Sequence, residues 1–279
     1  MCVPGCREAI QRAMSRRGFF KGAAAGFAAT AGFAANAGSA ATAATPALAQ
    51  RSFTSVIDLT HTLSPEFPTF FGIPGIAIER RYTFSKDGAN VNWWHVLEHA
   101  GTHVDAPFHY SDTGAAAEMI PADQLVVPLA VVDVAAKAAR DSDYAMTVQD
   151  ILDWEVRHGR LPDNCCVAMH SGWAQHAGNA AKFTGRQANA FHFPGVSPDA
   201  ADWLISERRV AGLAVDTMSL DPGASKDFKT HKLWLPSGRW GIENVASLDK
   251  VPATGATLIA GLPKVKGASG GPARVFALV

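Results

Sequence analysis

Residues 147–169 read TVQDILDWEVRHGRLPDNCCVAM and place a helix signal directly before a strand signal. Thr147 and Asp150 have the spacing of a capping box, which predicts the start of a helix. Its apolar stripe consists of Val148, Ile151, Leu152 and Val156, and Gly159 is a typical end. The apolar run 165–169 then predicts a buried strand, and a helix followed by a buried strand is typical of an α/β domain.

The same alternation continues along the chain. Further buried strands are predicted at 126–134, 210–215, 256–262 and 275–279. Ser197-Pro198 has the cap and first-turn residues of a second helix, whose inward side is predicted to carry Ala201, Leu204 and Ile205. No repeat or linker interrupts residues 50–279. We therefore expect one α/β domain with a mixed sheet over this range.

Composition limits the class of protein. The chain has 279 residues, of which 48% are hydrophobic and 18% are charged, and this excludes a disordered chain. Lys and Arg number 25, as do Asp and Glu, but residues 1–49 hold five of the basic residues and one acidic residue. The remainder is therefore mildly acidic. Nucleic-acid binding is not expected, because it favours clustered basic residues.

The first 49 residues have the features of an export signal. Ser15-Arg16-Arg17-Gly18-Phe19-Phe20-Lys21 resembles the twin-arginine motif, and an uncharged, Ala-rich stretch follows at 22–49. This stretch is too weakly apolar for a transmembrane helix, so no stable membrane anchor is expected. Pro46-Ala47-Leu48-Ala49 predicts cleavage before Gln50 and a periplasmic location. The alternative is an uncleaved Ala-rich helix.

Export by the twin-arginine route moves folded proteins and raises the expectation of a metal or redox cofactor. After removal of the signal only Cys165 and Cys166 remain, and adjacent cysteines in an apolar run predict two buried thiols rather than a disulfide framework. The chain has no haem-attachment, dinucleotide-binding or Cys-x-x-Cys pattern, which makes a redox protein the weaker interpretation.

Residues 98–109 read EHAGTHVDAPFH and contain several histidine and carboxylate side chains, the residue types that commonly bind metal ions. His99, His103 and Asp105 have the same parity, so an extended segment would place them on one face, with space between the imidazoles at Gly101. Pro107 is expected to turn the chain, so that a further histidine at position 109 returns towards the same point. Two imidazoles and a carboxylate suit Zn²⁺ or Mn²⁺. The alternative is a His-rich surface loop or capped core histidines.

The pattern His-x-Gly-Thr-His-x-Asp-x-Pro-x-His at 99–109 resembles the signature of the metal-dependent cyclase hydrolases, a family that includes bacterial kynurenine formamidases and isatin hydrolases. Residues 58–63, 171–173, 216–221, 243–244, 248–252 and 267–274 resemble other blocks of the family. The resemblance implies a single domain with a mixed, barrel-like sheet and flanking helices, a swivelling β/β/α-like fold. It also implies a dimer or tetramer.

The resemblance also implies roles for individual residues. His99, His103 and Asp105 match the ligands of a first metal ion. His231 and Glu243 match a second pair, with Asp105 bridging, so the chain has the capacity for one or two ions. His109 resembles the general acid–base residue. Independently, a Gly/Pro-marked turn at 236–238 lies between His231 and Glu243 and could direct both inward.

Aromatic residues suggest the kind of substrate. The candidates for an apolar wall beside the metal are Phe70, Phe71, Trp93, Trp94, Phe191, Phe193, Trp234 and Trp240, although each could equally be core. Trp93 shares the parity of His99 and, with Trp94 and Phe70, is the favoured contact. A small aromatic or cyclic substrate is the corresponding expectation.

The sequence is compatible with three functions. The resemblance implies a hydrolase that opens an amide, a cyclic amide of the isatin or lactam type, or a lactone by metal-activated water. Export and the sequence around Val91–Trp94 favour isatin-like cyclic amides over the arylformamidase activity on N-formylkynurenine. A non-catalytic periplasmic metal- or ligand-binding protein is the third interpretation, and the presence of His109 disfavours it.

Overall fold

The computed structural model describes residues 52–187 and 190–279, so the predicted signal segment 1–49 lies outside the described residues. The strands are β1 (Val56–Asp58), β2 (Ile76–Tyr82), β3 (Val91–Val96), β4 (His103–Asp105), β5 (Val126–Asp133), β6 (Ala145–Met146), β7 (Cys165–His170), β8 (Gly195–Val196), β9 (Val210–Val215), β10 (Trp240–Glu243), β11 (Ala256–Gly261), β12 (Gly270–Pro272) and β13 (Arg274–Leu278).

Nine of these strands form one mixed sheet in the order β1-β13-β11-β5-β7-β9-β10-β4-β12. β5, β7, β9 and β10 run parallel, and the strands on both sides of them are antiparallel. β12 lies at one edge of the sheet, whereas β13 lies beside the other edge, and only Ala273 separates them in sequence. The sheet is therefore curled into a barrel-like form, as the family resemblance implied.

The two faces of the curled sheet bury separate apolar clusters. The inner cluster includes Val104, Leu129, Ile242 and Val275, so strands from both ends of the sheet meet in it. The outer cluster lies between the sheet and the helices. The helices are α1 (Phe84–Asp87), α2 (Ala135–Ala138), α3 (Val148–His158), α4 (Ala180–Thr184), α5 (Pro198–Glu207) and α6 (Lys229–Trp234).

Short 3₁₀ helices occupy Pro107–Tyr110, Ala117–Met119, Ala122–Leu125, Trp173–His176, Leu235–Ser237 and Leu248–Lys250. Within the described residues, no helix has both the length and the hydropathy that a membrane crossing requires.

Most of the longer predicted elements are confirmed. α3 begins at the reciprocal Thr147–Asp150 capping box and ends at Gly159, and β9 has the predicted bounds. The predicted stripe of α3 is wrong at Val156, which is 86% exposed. Ile151 and Trp154, three positions apart, form the buried side instead, because the large indole takes the place against the sheet. Cys165 and Cys166 are buried free thiols, and burial raises the pKa of Cys165 to about 12.

β2 and β3 form a separate two-stranded hairpin, Ile76–Val96, that precedes the predicted metal-binding segment. Every residue of β3 is exposed, and so is every residue of β2 except Ile76. Among the described residues the only strand partner of each is the other. The hairpin thus contributes little to the two apolar clusters.

Candidate metal centre

Strand β4 carries His103 and Asp105 on one face and Val104 on the other. Val104 belongs to the inner apolar cluster, so the two polar side chains point away from it. β4 has β10 on one side and β12 on the other, and both polar residues are about 1% exposed. Nε2 of His103 lies 3.2 Å from Oδ1 of Asp105. The prediction that these two residues share a face is confirmed.

His99 joins them by a different route from the predicted extended segment. β4 begins only at His103, and Gly101 has φ +62°, a left-handed conformation that glycine adopts without strain. The turn returns His99 to the strand, where its Nδ1 lies 2.7 Å from Oδ1 of Asp105. Gly101 is therefore needed for the turn. It does not provide space between the imidazoles, because a Cβ there would meet Leu63.

His231 and Glu243 come from the second half of the chain. Glu243 lies directly opposite His103 in the β10–β4 register, and its Oε2 is 3.4 Å from Nε2 of His103. His231 lies on α6, and its Nε2 is 3.0 Å from Oε1 of Glu243 and 3.7 Å from Oδ2 of Asp105. Asp221 holds the opposite nitrogen, Nδ1, at 2.6 Å. The predicted pair thus lies beside Asp105.

These side chains form two groups of potential ligand atoms that share Asp105. One group is His99, His103 and Asp105, and the other is Asp105, His231 and Glu243. Nε2 of His103 and Oδ2 of Asp105 are buried without a hydrogen-bond partner in the described part of the protein. Buried polar atoms without partners are costly unless a ligand satisfies them. Imidazole and carboxylate are suitable donors for a divalent cation, so the residues fit a metal site.

The electrostatics also favour positive charge at this point. Burial alone would lower the pKa of His103, but Asp105 and Glu243 raise it to about 9. Burial likewise opposes the charged form of His231, whose pKa is nevertheless raised well above its ordinary value by Asp105, Asp221 and Glu243. The carboxylates thus attract positive charge strongly enough to overcome burial.

His109 lies beside His99, next to the two groups of potential ligand atoms. Pro107 opens a 3₁₀ helix, as the predicted turn requires, and this helix places the His109 ring 3.8 Å from the His99 ring, centroid to centroid, in a stacked arrangement. None of the described residues hydrogen-bonds the His109 ring. Burial lowers its pKa to about 4, since the opposing effect of Asp105 is outweighed by burial and by the nearby imidazoles. His109 is therefore neutral at pH 7.

A cavity of about 340 Å³ opens onto these residues. Its polar lining includes His99, His103, His109, His231 and Glu243. Its largely apolar lining includes Pro68, Phe70, Phe71, Tyr110, Met218 and Phe228. The volume lies within the range of small-molecule sites. The aromatic members form an aromatic wall that also contacts the polar lining, because the Tyr110 and Phe228 rings lie 5.0 and 6.2 Å from the His231 ring, centroid to centroid.

The predicted aromatic contacts divide between this cavity and other places. Phe70 and Phe71 line it, and Phe191 packs against Phe70 with ring centroids 4.7 Å apart. Phe193, Trp234 and Trp240 are core residues. Trp93 and Trp94 lie on the exposed hairpin and do not line the cavity, so their contact with a substrate stays a prediction.

Several residues of the site could not be identified from local sequence. Tyr110 and Phe228 complete the aromatic wall, and Asp221 holds His231. Phe228 has φ +51°, an unfavourable conformation for a bulky residue and one that is often retained at functional sites. Asp221 lies in the 216–221 block that resembles the family. This resemblance is the only sequence signal that points to Asp221.

The chain is similar in sequence to known proteins. Residues 57–222 match the family described as "Cyclase: Putative cyclase". The isatin hydrolase of Roseibium aggregatum is 32% identical over 243 residues, covering 80% of this chain and 91% of that protein.

Two solved structures are similar over nearly the same range. Isatin hydrolase A from Ralstonia solanacearum has a TM-score of 0.76 and 36% identity, covering 81% of this chain and 92% of its own. An isatin hydrolase bound to the product analogue thioisatinate has a TM-score of 0.75 and 32% identity, covering 80% of this chain and 92% of its own.

Proposed function

The chain belongs to the cyclase family of hydrolases, and on that premise we propose that it opens the amide bond of a small cyclic substrate such as isatin in a metal-dependent reaction. The observation that carries the proposal is the arrangement around Asp105. Two buried groups of ligand atoms share this carboxylate and face an aromatic-lined cavity. Similarity to isatin hydrolases supports a substrate with an aromatic ring fused to a cyclic amide.

The first group, His99, His103 and Asp105, would hold one divalent cation, and His231 and Glu243 would hold a second with Asp105 between them. We propose Zn²⁺ or Mn²⁺, because both accept imidazole and carboxylate ligands. When bound, such a cation supplies Lewis acidity to water and to a carbonyl oxygen.

His109 is proposed as the proton carrier. Its ring faces the cavity, stacks on His99 and has no hydrogen-bond partner in the described chain, so it is free to exchange protons. It accepts a proton from water as the water oxygen bonds to the carbonyl carbon. It returns the proton to the amide nitrogen as the C–N bond breaks. The product is a ring-opened amino acid with one added water.

The aromatic wall is proposed to orient the substrate. Phe70 and Phe228 have ring centroids 5.7 Å apart and line the same cavity as the imidazoles. A planar ring packed against them would be held beside the imidazoles of the proposed metal site. Burial of an aromatic ring contributes free energy of binding that does not depend on the cation.

The test is a comparison of substrates on protein of known metal content. Hydrolysis of isatin, a benzo-lactam, a lactone and N-formylkynurenine is measured, together with the bound metal by elemental analysis. We expect cyclic amides to give the highest kcat/KM, and a chelator to abolish turnover. Preferential hydrolysis of N-formylkynurenine would replace the proposal by an arylformamidase. Metal binding without any turnover would indicate the binding-protein alternative.

We also propose that the protein is exported through the twin-arginine route. The paired Arg16 and Arg17 and the cleavage pattern before Gln50 support this. N-terminal sequencing of the periplasmic protein should begin near Gln50. Replacement of both arginines by lysine should retain the precursor in the cytoplasm. Periplasmic protein that keeps residues 23–44 would contradict the proposal.

A homodimer or homotetramer is the proposed assembly. The exposed side chains of Ile78, Trp93 and Trp94 support it, because a hairpin with this much uncovered apolar surface is typical of a contact region. Light scattering coupled to size-exclusion chromatography measures the mass directly. A monomer at all accessible concentrations would contradict the proposal.

A further inference from the structure

The imidazole of His99 is held at both ring nitrogens, and one contact comes from the C-terminal part of the chain. Nδ1 lies 2.7 Å from Oδ1 of Asp105, whereas Nε2 lies 2.8 Å from Oγ of Ser269. Ser269 is half-buried and 170 residues away in sequence. It lies in the block 267–274, to which the proposed function gives no role.

The carboxylate of Glu98 sets the direction of these hydrogen bonds. The Ser269 hydroxyl donates to Oε2 of Glu98 at 2.5 Å, and the Ser269 backbone N–H approaches the same oxygen at 3.3 Å. A carboxylate has only acceptors, so the single hydroxyl proton of Ser269 is committed to Glu98. Ser269 Oγ must then accept a hydrogen bond from Nε2 of His99. In a neutral imidazole this leaves the lone pair on Nδ1, the nitrogen that faces Asp105.

The backbone around Ser269 is fixed to the strand that carries Asp105. The Ala106 N–H donates to the Ser269 carbonyl at 2.9 Å, and Gly270 lies opposite Asp105 in the β12–β4 register. A Cβ at Gly270 would lie 2.3 Å from the Val104 carbonyl oxygen and 2.9 Å from Cε1 of His99. Glycine at this position therefore leaves room for the His99 ring beside Ser269.

We infer that Ser269, oriented by Glu98, is a positioning residue that fixes the tautomer and ring orientation of His99 so that Nδ1 serves as the cation ligand. The inference rests on the proposed function, because it concerns a ligand of the proposed metal site. The imidazoles of the other two proposed histidine ligands are paired with groups that can only accept a hydrogen bond. These are the Gly101 carbonyl for His103 and the Asp221 carboxylate for His231. A hydroxyl both donates and accepts, so His99 alone needs a second residue to define the direction.

Three variants separate this role from simple support of the segment. Ser269→Ala removes the hydroxyl. Glu98→Gln keeps the size and one acceptor, but its amide can donate to Ser269 and release the hydroxyl proton towards Nε2 of His99. Glu118→Gln is the matched control, because Glu118 accepts the Gly267 N–H at 3.0 Å in the same segment and has no hydrogen bond to His99.

The readout is metal binding rather than turnover. The metal-free protein is titrated with Zn²⁺ against a chromophoric chelator, since Zn²⁺ binds such donor sets more tightly than Mn²⁺. Outer partners of ligating histidines typically contribute 10–100-fold to metal affinity, so Ser269→Ala and Glu98→Gln should each weaken one Zn²⁺-binding step by about that factor. Glu118→Gln should bind as the wild type does. Long-range ¹H–¹⁵N spectra of the Zn²⁺-loaded wild type should show the His99 proton on Nε2.

Each contrary result has a distinct meaning. Wild-type Zn²⁺ affinity in both Ser269→Ala and Glu98→Gln overturns the inference alone, and so does a lower melting temperature with unchanged affinity. An equal loss in Glu118→Gln overturns it as well, because support of the segment would then suffice. A wild-type protein that binds no Zn²⁺ overturns the proposed metal function, and the inference with it.

Discussion

The hairpin β2–β3 and the strand β4 are neighbours in sequence but have opposite environments. Trp94 lies nine residues before His103, yet Trp94 is 70% exposed and His103 is 1% exposed. The difference arises from strand partners. β4 has a partner on each side, whereas β3 pairs only with β2 among the described strands. Strand pairing with distant parts of the chain, rather than local composition, thus decides where functional side chains are buried.

This comparison shows how far the alternation of side chains between the two faces of a strand predicts which residues share a face. Parity assigns Trp93, His99, His103 and Asp105 to one face of a continuous strand. The chain instead turns between the hairpin and β4, with Gly101 in a left-handed conformation. Parity therefore holds within β4, for His103 and Asp105, but does not extend to Trp93.

The largest expected effect in this comparison comes from Asp105→Ala in β4. Asp105 belongs to both groups of ligand atoms, so its loss should abolish metal binding at both and reduce turnover to background. Elemental analysis and kcat on the same preparation measure this. Ile78→Ala in the hairpin is the control and should keep both. If Asp105→Ala retains metal and activity, the ligand assignment is wrong.

His109→Ala should have a smaller effect on turnover and none on metal content. The proposed ligands hold the cation without His109, whereas proton transfer to the leaving nitrogen needs it, so kcat should fall roughly 10²–10⁴-fold. Metal content, melting temperature and kcat are measured together. Unchanged kcat with a lower melting temperature would make His109 a packing residue. Loss of metal would make it a ligand.

The elements that sequence predicted well are those with strong local signals. α3 has its own capping box, and β7 and β9 are continuous apolar runs that are buried on both faces. β4 and β12 have three residues each and exist through pairing with distant strands. Closure of the sheet depends on Ala273 joining β12 to β13. Local patterns hold no information on such contacts.

The same distinction applies to the site. His103 and Asp105 follow from strand periodicity, because both lie within one short strand. Glu243 reaches them through the β10–β4 register, so apart from the turn signal at 236–238 only the family resemblance could indicate it. Ser269 contacts His99 across 170 residues, and no spacing rule relates the two.

A third test compares two isoleucines, one beside β4 and one in the hairpin. Ile242 in β10 is fully buried and lies opposite Val104, whereas Ile78 in β2 is 51% exposed. Ile242→Ala should lower the free energy of unfolding by about 2–5 kcal/mol at every protein concentration, whereas Ile78→Ala should lower that of the dissociated subunit by less than about 0.5 kcal/mol. Urea denaturation measures both. An additional loss in Ile78→Ala that appears only at higher protein concentration is expected if the hairpin forms the proposed subunit contact, whereas a large loss in the dissociated subunit would contradict the comparison.

The smallest expected effect concerns two ion pairs that differ in burial. Glu155 accepts two hydrogen bonds from Arg208 at 2.8 and 2.6 Å, and the two side chains are only 12% and 11% exposed. Glu79 of the hairpin pairs with Arg81 at 2.6 Å, but both side chains are more than 40% exposed. Solvent screens the exposed pair, so this pair contributes little to the free energy of unfolding.

Glu155→Gln should therefore destabilise the protein at pH 7 by about 1 kcal/mol, whereas Glu79→Gln should have no measurable effect. Arg208 lowers the pKa of Glu155 below its ordinary value of 4.5. A lowered carboxyl pKa stabilises the folded protein above the unfolded pKa, and this contribution disappears as the pH falls through the folded pKa. The difference between wild type and Glu155→Gln should thus be constant near neutrality and shrink below about pH 4.5. Urea denaturation at several pH values tests this. A difference that persists in acid would mean that Glu155 acts by packing, and an equal loss in Glu79→Gln would show that burial does not separate the two regions.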